Sequence, residues 1–518
     1  MFLRKSTIAV ILVAFQCVIG CDASAAAPDG QGSLEIPWPT KSWQTSTPEE
    51  QGMDSASLAR LIETVGTYKQ DSLMIVRHGR IVAEAYYAPY VTGITHDLRS
   101  VTKSVVSTLI AIALQHGILD TVDHAVIDLF SDRHISNVDE NKKAMTIQSL
   151  LDMTSGIEWQ ERAYTPDETI MRMYASPDRT AFVLTQPMSS TPGTKFYYNS
   201  GNPYVLSALI TKKTGQSAFD FAKKELFEPL GITSAQWGRV DAQGVTDGEA
   251  GLFLSPLDMA RVGYLYLHNG IWDGKQIIPS SWVDRVKEGK ISATFGMHYS
   301  NLWWSLPEKE AYMALGRHSQ VILVLPKLDV VAVMTGILRD DEFYSTPRLV
   351  DDISNSVMSD KPLPPDPIAQ SLLAASIRQA AVERPTSIGG TPELARAISG
   401  KIYRFSDNEL RLRSFVLNFF DDPSWEATTD SERAGGAIQR FSGPMGLEGV
   451  SRKGAPAFYG TDAAKGRWLN EHTFALERRT LGHGESQTWT LTFEGNKAMV
   501  SLETTDGGKF QLNGETSN

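Results

Sequence analysis

Ser100-Val101-Thr102-Lys103-Ser104-Val105-Val106-Ser107-Thr108-Leu109-Ile110-Ala111-Ile112-Ala113-Leu114-Gln115-His116-Gly117 reads as one helix, apolar or small on nearly every face and stopped by a glycine. Such a helix belongs in the middle of a domain. Its first turn is a Ser-x-x-Lys, and three-residue spacing on a helix puts Ser100 and Lys103 on the same face. Burial disfavours a charged lysine, so Lys103 is expected to lose its proton more easily and to accept that of the Ser100 hydroxyl. The Ser100 N–H, at a helix N-terminus, is suited to hold an oxyanion. The competing reading of the same turn is structural: a serine that caps the helix and a lysine that reaches solvent.

Upstream of this helix, Leu73-Met74-Ile75-Val76, the turn His78-Gly79-Arg80 and Ile81-Val82-Ala83-Glu84-Ala85-Tyr86 form a β-hairpin pattern. Downstream, helices are expected at 147–153, 203–213, 217–227 and 279–288, and strands at 320–325 and 329–335 around Pro326-Lys327-Leu328. A strand pair, many helices and then strands again suit an α+β fold, an antiparallel sheet flanked by helices. The first domain is therefore placed at 46–358. The Pro-rich run Lys361 to Pro367 and an Ala-rich helix after it make 359–399 a linker. Short alternating segments in 400–518, among them 410–412, 415–419, 488–493 and 499–502, read as a separate small C-terminal antiparallel β-domain.

The chain has 518 residues, about three times the roughly 150 of a typical domain, which agrees with more than one folding unit. With 42% hydrophobic and 21% charged residues it is an ordinary globular composition, not a disordered or polytopic membrane one. A net charge of −11 and the lack of a basic run with interleaved aromatics argue against nucleic acid as a partner. The two cysteines, Cys17 and Cys21, lie near the N-terminus, so the body has no disulfide, cysteine nucleophile or thiolate zinc site. No His-Glu-x-x-His occurs and the ten histidines are scattered singly, so neither metal nor other cofactor is expected.

Residues 1–27 have the layout of a secretory signal: Arg4 and Lys5 precede an apolar stretch, Ile8 to Phe15, too short to cross a bilayer. Val18-Ile19-Gly20-Cys21 resembles a bacterial lipobox, which would make Cys21 the lipidated residue, with Asp22 resembling an inner-membrane retention signal. Ala23-Ser24-Ala25 offers the alternative of simple cleavage and secretion. Residues 28–45, rich in Pro, Gly, Ser and Thr, read as a tether. The expected location is exported and periplasmic, with membrane contact through the lipid.

A second polar loop, Pro192-Gly193-Thr194-Lys195-Phe196-Tyr197-Tyr198-Asn199-Ser200-Gly201, precedes an apolar helix. Together with Ser100-x-x-Lys103 it resembles the serine β-lactamase and penicillin-binding-protein superfamily, in particular its class C β-lactamase-like and esterase branch. The resemblance extends to Thr47-Pro48-Glu49-Glu50-Gln51-Gly52-Met53, Leu150-Leu151-Asp152-Met153-Thr154-Ser155-Gly156-Ile157, Leu226-Phe227-Glu228-Pro229-Leu230-Gly231-Ile232 and Asp258-Met259-Ala260-Arg261. It implies that Ser100 is acylated, that Lys103 is its base partner, and that a tyrosine shuttles the leaving-group proton. Tyr197 and Tyr198 both compete for that tyrosine, the flanking pattern favouring Tyr198. Asn199 or Ser200 would bond substrate or lysine, the plain alternative being a turn residue.

The family's third motif, commonly Lys-Thr-Gly, is matched to His318-Ser319-Gln320, with the second oxyanion N–H near Gln320 or Val321. Lacking the lysine, the resemblance implies an ester or small-amide hydrolase, as in aminohexanoate-oligomer hydrolases, ahead of a D-Ala-D-Ala peptidase or a β-lactamase. Arg317 could replace part of that charge. Trp159, Tyr299, Trp303 and Trp304 either wall a cleft or fill the core. The partner implied is a small ester or amide, or a peptide. A catalytically silent envelope receptor, and a hydrolase whose C-terminal domain touches the cleft, are the other readings.

Overall fold

The inner strands of the central sheet bury both of their faces, because helices cover them on two sides, while the edge strands are exposed. The computed structural model describes residues 37–162, 164–238, 240–339, 346–430, 438–456 and 460–516. The signal-like segment and Cys21 lie outside the described residues.

The first hairpin is β2 (Gln70–Arg77) and β3 (Arg80–Tyr86). Its two-residue turn uses His78 and Gly79, both left-handed (φ 48° and 69°), which matches the twist of the flanking strands. A Cβ on Gly79 would stand 2.5 Å from the Pro37 ring and the Tyr264 hydroxyl, so the turn needs glycine for space as well as for φ. Outside β3 lies β1 (Gln44–Thr45), paired in parallel. On the other side of β2 the order is Val330–Gly336, Gln320–Leu325, Ala311–Gly316, Trp303–Leu306, His298–Ser300 and Ile291–Ser292, all antiparallel. β2, from the start of the domain, thus pairs with a strand from its end.

Strand alternation divides the core in two. Met74, Val76, Ile322, Val324, Val331 and Val333 face the larger cluster, with α2 (Val101–Gln115) and the helix Pro256–Leu267. Leu73, Ile75, Leu323, Ala332 and Met334 face the second, against α1 (Ser55–Val65) and the helices Thr346–Ser354 and Pro367–Ala380. α2 is buried without a break from Val101 to Ala113, as its all-round apolar sequence requires. Each of its leucines, isoleucines and valines contributes roughly 1.5–3 kcal/mol of burial.

Two expected spacers are docked. From Trp38 onward the stretch read as a tether packs on the domain: Trp38 meets Trp272 at 5.4 Å between ring centroids, Trp43 Nε1 donates to Leu257 O (3.2 Å), and Arg261 Nε donates to Pro39 O (3.0 Å). Two tryptophans gain too much from burial to stay in water. Within 359–399, Ser359 O accepts from the buried Arg77 guanidinium (2.9 Å), Leu373 packs beneath α1, and Ala395 and Ile398 enter the last core.

That core belongs to a ten-stranded antiparallel sheet built from residues 403–515. It curls toward closure, with Gly446 N donating to Ala464 O (3.0 Å) and Gly466 N to Gly446 O (2.8 Å). The α+β fold with a further antiparallel β-domain is therefore as the sequence implied. From Pro37 onward the chain is one unit.

Candidate active site

Ser100 enters α2 from a strained turn: Arg99, just before it, is left-handed (φ 49°). The turn is held from both ends, with Leu98 N donating to Leu252 O (2.8 Å) and Arg99 N to Asp97 Oδ1 (3.0 Å). Ser100 occupies the N-cap position, yet its hydroxyl makes no capping bond. Lys103, one turn on, is buried and donates from Nζ to Ser100 Oγ (2.9 Å) and Glu249 O (2.9 Å), with Glu249 Oε2 at 3.4 Å. Neither half of the structural alternative holds: the serine does not cap and the lysine does not reach water.

The lysine's charge state differs from the sequence expectation. Burial pulls it down, but the Tyr198 oxygen, Glu249, Glu161 and Tyr164 together raise it above the ordinary lysine range. Lys103 therefore sits as an ammonium, a form that only acidic neighbours can maintain in such an enclosed place. The sequence could not show this, since Glu161 and Glu249 are 58 and 146 positions away.

Tyr198 is the tyrosine at the site. It lies beside Ser100 and Lys103, the Lys103 Nζ standing 5.2 Å from its ring centroid, and its ring stacks on Trp304 (6.1 Å, 21°). Burial holds the phenol above its ordinary value, although the charge of Lys103 pulls it the other way. Tyr197 points outward, its N–H tied to Met153 O at 2.8 Å. The next two residues do not reach Lys103. Asn199 Oδ1 accepts from Gly201 N (2.8 Å), a turn role, whereas Ser200 N and Oγ both donate to Glu161 (2.8 and 3.1 Å). Glu161 also accepts from Trp159 Nε1 (2.5 Å), and burial pushes its carboxyl up to about 7 against the pull of Lys103. Tyr174 donates to the far oxygen of Glu249.

None of the side chains of His318, Ser319 and Gln320 hydrogen-bonds Ser100 among the described residues. These residues make the hairpin turn after Ala311–Gly316, with His318 and Ser319 left-handed (φ 67° and 75°). Their side chains are engaged elsewhere: His318 Nδ1 with Leu338 O (2.8 Å), Ser319 Oγ with Gln70 Nε2 (3.0 Å), Gln320 Nε2 with Gly336 O (2.8 Å). Gly316 is the residue that reaches the nucleophile. A Cβ there would lie 3.2 Å from Ser100 N and 2.3 Å from Leu98 O, a space only glycine leaves open. Gly316 thus ends its strand beside Ser100, paired in register with Gln320.

The aromatics divide. Trp303 is core, against Tyr266 at 4.2 Å, while Trp304 is half-buried and forms a wall with Tyr198, Phe196 and Tyr299.

The family model described as Beta-lactamase matches residues 58–338. The 6-aminohexanoate-dimer hydrolase of Paenarthrobacter ureafaciens is 24% identical over 284 residues, 51% of this chain and 71% of that protein. The lovastatin esterase of Penicillium rubens is 27% identical over 154 residues, 28% and 37% of the two chains. Among solved structures, EstCE1, described as a hydrolase with promiscuous acyltransferase activity, has a TM-score of 0.49 at 15% identity, covering 59% of this chain and 99% of its own.

Proposed function

Because this chain belongs to the Beta-lactamase family and is therefore a serine hydrolase, we propose that it cleaves an ester or amide bond through an acyl-enzyme on Ser100. The observation that carries this reading is the meeting of three groups in one enclosed place: the Ser100 hydroxyl, the Lys103 ammonium and the Tyr198 hydroxyl.

Ser100 Oγ attacks the carbonyl carbon and its proton passes to the Tyr198 oxygen, which must first be a phenolate. The adjacent ammonium stabilises that phenolate, the role left to a lysine that keeps its proton. The oxyanion is received by the Ser100 N–H, which donates to no backbone oxygen among the described residues, while the strand end at Gly316 supplies the second side of the hole. Tyr198 then returns the proton to the leaving oxygen or nitrogen. Water attacks the acyl ester in turn and gives a proton to Tyr198, which passes it to the departing Ser100 oxygen as the acid is released.

The relatives named as an aminohexanoate-dimer hydrolase and an esterase support keeping both bond types. No lysine occurs in Ala311–Gly316, and the next cation, Arg317, pairs with Asp506 (3.3 Å), which disfavours a β-lactam carboxylate. Export is part of the proposal and rests on the signal-like segment ending at Cys21.

The test is intact mass after brief exposure to p-nitrophenyl butyrate and, separately, to a penicillin. An ester adduct that Ser100→Ala loses, without a penicillin adduct, supports the proposal. Full ester hydrolysis by Ser100→Ala overturns it.

A further inference from the structure

Two turns of the C-terminal sheet lie against the left-handed turn before Ser100 and the left-handed hairpin turn after Gly316. The tip at 481–485 meets the turn before Ser100. Asp97 N donates to Gly482 O (2.6 Å), the Arg99 guanidinium donates to His483 O (2.8 Å) and faces Glu485 (3.4 Å), and the His483 ring lies 4.9 Å from Phe253. The turn at 504–508 meets the hairpin after Gly316: Asp506 is 3.3 Å from both Arg317 and His318 Nε2.

The seam continues away from the site. Arg479 pairs with the buried Asp71, which also holds His96 (3.0 Å), and Tyr90, Ala463 and Leu481 share a small apolar cluster. The contact is close enough to demand glycine, since a Cβ on Gly482 would come within 2.1 Å of Thr95 O.

Arg99 and Ser319 are not residues that favour positive φ by themselves, so their turns persist only where neighbours over-determine them. Here many of those neighbours belong to the C-terminal sheet. We propose that the turns 481–485 and 504–508 are positioning elements of the hydrolase, fixing Ser100 and the Gly316 strand end relative to each other. The C-terminal domain is then part of the catalytic apparatus without touching the reacting atoms. This deepens the Ser100 acyl-enzyme reading and rests on it.

The test uses the full chain, with p-nitrophenyl butyrate kinetics, the rate of Ser100 labelling by a fluorophosphonate, and thermal unfolding. Gly482→Ala is expected to lower kcat about 10-fold with KM changed less than about twofold, since small displacements of a nucleophile are costly. Labelling should slow in proportion. Glu485→Gln with Asp506→Asn, two exposed partners that leave the fold intact, should lower kcat about threefold, and Asp506→Glu alone should keep it. Asp407→Asn, whose partner Arg413 is far along the same sheet, is the control and leaves kcat unchanged. Unchanged kcat and labelling in the two test variants overturn the proposal. Activity persisting in Ser100→Ala would instead remove the reading beneath it.

Discussion

Lys103 Nζ stands 3.4 Å from Glu249 Oε2, a buried ion pair whose ammonium also donates to the Ser100 hydroxyl. The pair fixes the sign of the lysine's contribution. Although burial lowers it, its acidic neighbours leave its folded value above the ordinary one. Its stabilisation is thus full below the unfolded value of about 10.4 and is lost as pH rises through the higher folded value. In Glu249→Gln the alkaline limb of the pH–rate profile should move to lower pH. Breaking a buried pair should also cost about 3 kcal/mol in denaturant unfolding.

The two adjacent tyrosines separate by their surroundings. Tyr198→Phe removes the hydroxyl between Ser100 and Lys103 and should lower kcat by about 100-fold or more, within the range of a lost general acid–base. Tyr197→Phe, on the exposed neighbour, should leave kcat within about twofold. Steady-state kinetics of the two variants side by side decide the matter. Equal losses would put the register in error.

Glu161 gives the site a titration near neutrality. Its carboxyl is raised to about 7, chiefly by burial, from an ordinary value of 4.5. The fold favours its protonated form, so stability declines as pH rises from about 4.5 to about 7 and is level beyond. Glu161→Gln should flatten that decline in thermal unfolding measured from pH 4 to pH 9. An inflection near pH 7 in kcat/KM should disappear with it.

Gly316→Ala tests the strand end. Its Cβ would be 2.3 Å from Leu98 O, so the strand or the nucleophile turn must move. A kcat loss of about 10- to 100-fold is expected, with KM nearly kept, because the group displaced acts on the transition state. A rise in KM alone would mean that the strand end binds substrate only.

The legible features were those encoded within one element. α2 announced itself by being apolar on every face, and Ser100 and Lys103 by lying one turn apart on it. Tyr198 was legible from its flanking pattern, since it belongs to a local turn. What sequence could not give were pairings across space. Glu161 and Glu249 look like any surface carboxylates until the fold turns them onto Lys103, and they reverse the expectation for its proton. Gly316 was passed over because a strand-end glycine has no local signature of the backbone it must clear. The docking of 37–45 escaped for a similar reason: its partners, Leu257 and Trp272, are more than 200 positions away.

The placement of β2 beside Val330–Gly336 has a consequence for how the protein is made. A ribosome has delivered β2, β3 and the whole of α2 long before it reaches residue 330, and until then the sheet beneath that apolar helix lacks its central partner. Nascent chains of intermediate length therefore expose one of the most apolar helices of the domain, with Ser100 at its start, and closing that gap draws together ends separated by some 250 residues, a slow step by loop-closure entropy. For a chain of this design, protection from aggregation during synthesis matters as much as the stability of the finished fold.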